Sequence, residues 1–201
     1  MTKPVYHVST KGQPETFCVS NHLPDGAKAP RTEGCMIYIP GTGFEVTMRC
    51  YEENPKAVFT EPDQPVCRDS CMEAFMNFFP EEPEPRYVNV EMNSIGTVLC
   101  AFGFKRPNRT HVLKLGYPQP KVTVEKGQDA DGSYWQTKCL ITEEFVEKLY
   151  GKPCKFQPGD SFQANFYKCG DQTEHPHWAS WSKVEIADFH TPEFFGIMKI
   201  V

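Results

Sequence analysis

The run Phe44-Glu45-Val46-Thr47-Met48-Arg49-Cys50 decides the fold class. Phe44, Val46, Met48 and Cys50 are apolar, while Glu45, Thr47 and Arg49 between them are polar. Successive side chains of an extended chain point to opposite faces, so this period of two predicts a β-strand with one face in a core. Upstream, Cys35-Met-Ile-Tyr-Ile39 reads as a second strand ended by Pro40-Gly41, and Val5–Ser9 as a third. Downstream, residues 54–66 are broken by prolines and read as a loop. The segment from Cys67 to Phe79 suits two patterns. Cys67 and Cys71 are four apart, as on a helix, but the alternation from Asp69 onward suits a strand. A proline-rich turn then leads to the Val-rich stretch Tyr87–Met92, so a hairpin 69–79/87–93 is the economical reading. On it Asn89, Glu91 and Asn93 share one face, and Val88, Val90 and Met92 the other.

The remaining chain follows the same pattern. Val98–Phe104 and Asp160–Cys169 are strand-like, and Lys121–Glu125 pairs with Tyr134–Ile141 across the turn Asp129-Ala-Asp-Gly132. A short strand at Ile197–Ile200 closes the chain. Thr142–Tyr150 is the one helix: Thr142 caps it, Glu143 and Glu144 suit its positive end, and Gly151 with Pro153 stop it. About eight strands and one short helix near 142–150 predict an all-β chain, an antiparallel β-sandwich of jelly-roll or immunoglobulin-like form. The expectation is a single domain over residues 1–201, with residues 1–34 as an N-terminal extension packing on it.

Composition agrees and narrows the function. Of 201 residues 39% are hydrophobic and 13% aromatic, and 18 prolines with 14 glycines leave little room for long helices. The net charge of -5 and pI of about 5.7 lack the basic footprint of a nucleic-acid binder, and no Lys/Arg run exceeds two residues, which argues against an anionic membrane surface. No stretch approaches the roughly 18 apolar residues of a membrane span, and the N-terminus lacks the apolar run of a signal peptide. Nine cysteines, an odd and irregularly spaced set, fit a reducing environment, so the expected location is the cytosol.

Four constellations are candidates for function. The first is a polar strand face, Arg49, Glu73, Glu91, Asn93, Asn165 and Tyr167. Planar carboxylate, amide and guanidinium groups match sugar hydroxyls, which both donate and accept hydrogen bonds. An ordinary solvated outer face alternates in the same way, so spacing leaves both readings open. The second is His175-Pro-His-Trp178-Ala-Ser-Trp181, whose rings either stack on a pyranose or pack as lids over the core. The third is metal: Cys169, His175, His177 and His190 lie close in sequence, but neither their spacing nor Cys67-x3-Cys71 matches a zinc pattern. Asp129-Ala-Asp-Gly132 lacks the distal Glu of a calcium loop and reads as a hairpin turn. No metal ligand set is therefore expected from spacing. The fourth is catalysis by Glu73 and Glu91 as a glycosidase pair, for which the sequence supplies no source of a raised pKa.

Three stretches carry a family resemblance: Asn165-Phe-Tyr-Lys-Cys-Gly-Asp171, His175-Pro-His-Trp-Ala-Ser-Trp181, and Asp188-Phe-His-Thr-Pro-Glu-Phe-Phe-Gly196. With Asp69-Ser-Cys-Met-Glu-Ala-Phe75 and Tyr87-Val-Asn-Val-Glu-Met-Asn-Ser-Ile-Gly96, they resemble family 9 carbohydrate-binding modules over roughly residues 35–201. The resemblance implies a DOMON-like sandwich that binds a mono- or oligosaccharide of xylan or glucan type without catalysis, with calcium as a possible structural ion. Such modules grip a chain end between two aromatic rings. The resemblance makes Trp181 the stacking candidate. The second ring of the attached modules falls where this chain has Pro65-Val-Cys-Arg68, which leaves Trp178 as its partner. It supports Glu91, Asn93 and Asn165 on the polar face, and His190 completes the candidate set. The expected ligand is an imported oligosaccharide or sugar derivative, the alternative being a protein-interaction or structural domain whose ancestral sugar site is degraded; the oligomeric state is not legible.

Overall fold

The computed structural model describes residues 2–201. In it the Phe44–Cys50 pattern holds: all four apolar side chains are buried and the three polar ones half-buried. They lie on strand β5 (Gly43–Cys50), at the centre of a five-stranded sheet ordered β10-β11-β5-β4-β2. Its other strands are β2 (Phe17–Cys18), β4 (Thr32–Ile39), β10 (Lys121–Asp129) and β11 (Gly132–Thr142). Gly43 starts β5 at φ 144°, and a Cβ there would lie 2.2 Å from the Ile141 carbonyl oxygen. Only glycine permits β5 and β11 to approach so closely.

The larger sheet runs β1 (Val5–Val8), β14 (Gly196–Ile200), β12 (Ser161–Cys169), β6 (Cys71–Asn77), β7 (Tyr87–Asn93), β8 (Val98–Gly103) and β9 (Arg109–His111). β12 is long enough for two partners on one edge: Ser161–Ala164 pair with β14 and Tyr167–Cys169 with β13 (Trp178–Ser180), outside which lies β3 (Asn21–His22). The expected hairpin is β6–β7, with Glu73 directly opposite Glu91. One detail departs from a purely antiparallel sandwich. β1 runs parallel to β14, and Ser9 then bridges to Ile37 of β4, so the first strand ties the two sheets together at one corner. The N-terminal 34 residues thus supply strands to both sheets, and Phe17 stacks on Phe166 at 4.0 Å inside the core.

The core lies between the sheets. Met72, Ala74, Met76, Val88, Val90 and Met92 of the hairpin meet Phe44, Val46, Met48, Trp135 and Ile141. The helix α1 (Glu143–Tyr150) packs Phe145, Val146, Leu149 and Tyr150 against this layer, with the Thr142 hydroxyl accepting from the Phe145 N–H and Gly151 in the left-handed conformation at its end.

Candidate functional site

The outer face of the larger sheet decides between the two readings of the polar face. A solvated face would be exposed, yet every residue of β6 and β7 is buried on both sides. A second apolar cluster covers that face, built from Phe75, Tyr87, Leu99, Tyr167, Phe189 and Phe195, with Leu23 and Val66. Three segments form the cover, and the family-like stretches hold them down. The buried Asp69 carboxylate accepts from the N–H groups of Val58 and Phe59 and from the Asn93 amide, each at 3.0 Å. Asn93 also donates to the Phe59 carbonyl and accepts from the Thr97 N–H. Asn165 donates to the Ser182 carbonyl and accepts from the Ser182 N–H, both at 2.8 Å, which clamps the start of the segment leading to His190.

Where the cover stops, a cleft of about 480 Å³ opens onto the sheet, a size typical of small-ligand sites. Glu73, Glu91 and Cys169 lie at its base. Arg106, Arg109 and the Asp188–His190 segment form one side, and Trp178, Asp171 and Leu23–Asp25 another. Trp178 is half-buried, and its indole N–H donates to the Asp171 carboxylate at 2.7 Å. The loop bearing Gly26 crosses the indole so closely that a Cβ there would lie 2.9 Å from the ring. Phe189 stacks on Tyr167 at 4.0 Å, and the Tyr167 hydroxyl donates to the Phe189 carbonyl.

The charges at the base are held in an unusual state. Facing carboxylates on adjacent strands repel one another, and these two are buried. Burial, partly offset by Arg109, pushes Glu91 up to about 7. Burial and then the Glu91 charge push Glu73 well above the usual carboxylate range, although its Oε1 accepts from the Cys169 thiol at 2.9 Å. The pair therefore retains a proton near neutrality. The Asn89 amide bridges the Arg109 guanidinium to Glu91: Arg109 donates to Asn89 Oδ1 at 2.6 Å and Asn89 Nδ2 donates to Glu91 at 3.0 Å. Arg109 itself stands 3.8 Å from Glu91. His190 packs on Phe75, and its Nδ1 lies 2.8 Å from the Tyr87 hydroxyl. Burial, reinforced by Arg109 and Arg106, lowers its pKa to about 2, so the ring is neutral. Carboxylic acid, neutral imidazole and guanidinium together offer donors and acceptors within one wall.

The sequence-predicted residues divide accordingly. Glu73, Glu91, Trp178 and His190 come together around the cleft. Tyr167 lies beneath it as the support of Phe189, and Asn93 and Asn165 are brackets whose amides are engaged with the scaffold. Arg49 belongs elsewhere, on the outer face of the smaller sheet, where it stacks 3.9 Å over Tyr134 and pairs with Asp129 at 3.0 Å. Trp181 does not line the cleft. It packs among Tyr6, Phe17 and Phe166 against the core and covers Gly196. The physical reason is parity: residues three apart along an extended segment point to opposite faces, so only one of Trp178 and Trp181 reaches the outer face. Sequence reasoning missed Arg106, Arg109, Asp171, Asp188 and Phe189. The last two sit beside His190 in a quoted stretch, and the arginines form the cluster Lys105-Arg-Pro-Asn-Arg109, a signal of countercharge for the acidic pair.

A calcium ion prefers several converging oxygens. Among the described residues, no three carboxylates converge; the one cluster of three potential ligands is Cys71, Glu73 and Cys169. The Asp129 turn is engaged with Arg49, Tyr51 and the Asp131 N–H. Among the described residues, no group of three carboxylates is therefore placed to hold the calcium that the resemblance allowed.

Comparison with solved structures returns the same fold. A protein of Bacteroides uniformis, provisionally described as carbohydrate-binding, is similar at 22% identity over 100% of both chains, with a TM-score of 0.78. Family 9 carbohydrate-binding modules of Caldicellulosiruptor kristjanssonii are similar at 9% identity. The complex with glucose has a TM-score of 0.61 over 98% of this chain and 96% of that one. The complex with cellotriose has a TM-score of 0.58 over 98% and 93%. No curated protein matches the chain. The profile of carbohydrate-binding family 9 matches residues 37–200, and the chain belongs to that family.

Proposed function

We propose that the cleft binds a mono- or oligosaccharide between Trp178 and Phe189, with its hydroxyls turned toward Glu73, Glu91, Arg109 and His190, and that the protein performs no chemistry on it. One observation carries this reading. The cleft places half-buried aromatic surface beside a base of buried polar groups held in mixed protonation states. Ring faces bury the C–H surface of a pyranose, and the polar groups supply both partners that each hydroxyl needs. The solved family 9 modules that bind glucose and cellotriose support the ligand class.

A catalytic reading has one observation in its favour, the raised pKa of the Glu73–Glu91 pair. Glycosidases set their two carboxyls on either side of the scissile bond. Here both side chains rise from neighbouring strands at one base, an arrangement that supports binding over hydrolysis.

Isothermal titration with glucose, cello-oligosaccharides and xylo-oligosaccharides tests the proposal. The expected result is heat of binding with at least one of them, an affinity lowered about tenfold or more in Trp178→Ala, a difference of at least about 1.4 kcal/mol, and no sugar released on long incubation. No heat with any saccharide, or unchanged affinity in Trp178→Ala, sinks the binding reading; release of sugar lost in Glu91→Gln replaces it with the catalytic one.

A further inference from the structure

The saccharide reading leaves the two thiols beside Glu73 unused. Cys71 and Cys169 face each other across β6 and β12 as directly paired residues. Glu73 is two residues from Cys71 on the same strand and so projects from the same face. The register therefore brings two thiols and one carboxyl to a single point. One ligand atom from each lies within 4.8 Å of the others, all three residues are buried, and the Cys169 sulfur stands 2.9 Å from Glu73 Oε1. Surface acidic groups cluster without consequence; a fully buried Cys-Glu-Cys group does not arise from solvation.

The donor chemistry selects the occupant. Thiolates are soft donors and reject calcium and magnesium, which take oxygen ligands. Two thiolates and a carboxylate suit zinc, which accepts sulfur and oxygen donors in tetrahedral sites. With all three deprotonated the group carries three negative charges, and a divalent cation compensates most of them. It also adds to the countercharge at Glu73, since Arg109 stands closer to Glu91, at 3.8 Å. Glu73 and Cys169 both line the cleft, so the side facing the cleft is free for a fourth donor, as in zinc sites that keep an open position.

We propose that Cys71, Glu73 and Cys169 bind a thiophilic divalent cation of the zinc type at the base of the cleft, with water or a ligand oxygen as the fourth donor. Binding displaces the two thiol protons and the proton shared by the Glu73–Glu91 pair to solvent and forms two metal–sulfur bonds and one metal–oxygen bond, with no change of oxidation state. The site does not depend on the saccharide reading, and its test contains no saccharide, so failure of either leaves the other standing.

The full chain, stripped of metal by chelation, is titrated with Co²⁺ and then Zn²⁺ under reducing conditions. The expected result is a thiolate-to-cobalt charge-transfer band that saturates at one ion per chain and is abolished when Zn²⁺ displaces the cobalt. Cys169→Ser, with folding checked by circular dichroism, loses the band. Glu73→Gln keeps the sulfur band but lowers affinity about tenfold or more, the size seen when groups around a metal are removed. Absence of the band in the unmodified chain overturns the proposal, and so does unchanged affinity in Glu73→Gln. Those two measurements decide the matter if Cys169→Ser fails to fold. A band of undiminished strength in folded Cys169→Ser, or peptide mapping that finds a Cys71–Cys169 disulfide in the protein purified without reductant, also overturns it.

Discussion

His190 shows how a single residue in this cleft is tied to pH. Its ring is buried against Phe75 and Tyr87, and it faces Arg109 and Arg106, so the folded chain holds it neutral with a pKa of about 2. The unfolded chain has a histidine of ordinary pKa, near 6.5. Below that value the unfolded state takes up a proton that the folded state does not, so stability is lost as pH falls from about 6.5. The Glu73–Glu91 pair acts with the opposite sign, because its raised pKa values disfavour the folded state as pH rises. The contributions are separable by difference. Thermal unfolding from pH 7.5 to 5 should show the advantage of the wild type over His190→Gln shrinking as the pH drops below about 6.5. An advantage constant over that range contradicts the neutral, buried assignment. Sequence alone marks His190 as a candidate but gives no hint of its state, because the groups that set it, Tyr87 and Arg109, lie 103 and 81 residues away in the chain.

At the scale of elements, the longer strands were legible because their signal is local, whereas β2, β3, β9 and β13, of two or three residues each, carry too little alternation to be read. Seven consecutive residues of β5 carry the period of two, and the structure buries Phe44, Val46, Met48 and Cys50 without exception. Phe44 touches four other rings, Tyr38, Phe78, Phe156 and Phe162. Phe44→Ala is therefore expected to cost about 3–5 kcal/mol in denaturant unfolding, the range for a large core aromatic; a loss below about 1 kcal/mol would mean that the smaller sheet is not packed as described. The hairpin β6–β7 was equally legible as an element, but its outer face was not. Alternation says that Glu73 and Glu91 leave the core. It cannot say that segments from residues 20–25, 58–67 and 182–195 then close over them. The same limit applied to β13. Its three residues, Trp178–Ser180, are too short for alternation to show the parity that sends the two rings to opposite faces.

At the scale of the whole molecule, the sandwich separates scaffold from site. The core layer holds the two sheets, and Trp181 belongs to it through Tyr6, Phe17 and Phe166. The outer face of the larger sheet holds the cleft, and Trp178 belongs to that. This division predicts opposite phenotypes for two residues three apart. Trp181→Ala should lower stability by about 3 kcal/mol and leave the saccharide affinity of the folded protein within about twofold; Trp178→Ala should do the reverse. Arg49 marks the limit of sequence reading at this scale. Its polar, alternating strand looks like those of Glu73 and Asn165, but which strands share a sheet is a property of long-range pairing. β5 pairs with β4 and β11, which puts Arg49 on the opposite side of the sandwich. The most direct test of the central claim is a crystal structure of the chain with the saccharide that titrates most tightly. The account predicts a sugar ring against Trp178 and Phe189, with its hydroxyls within hydrogen-bond distance of Glu91, Arg109 or His190. A sugar lodged beside Trp181, or on the Arg49 face of the smaller sheet with the cleft vacant, would contradict it.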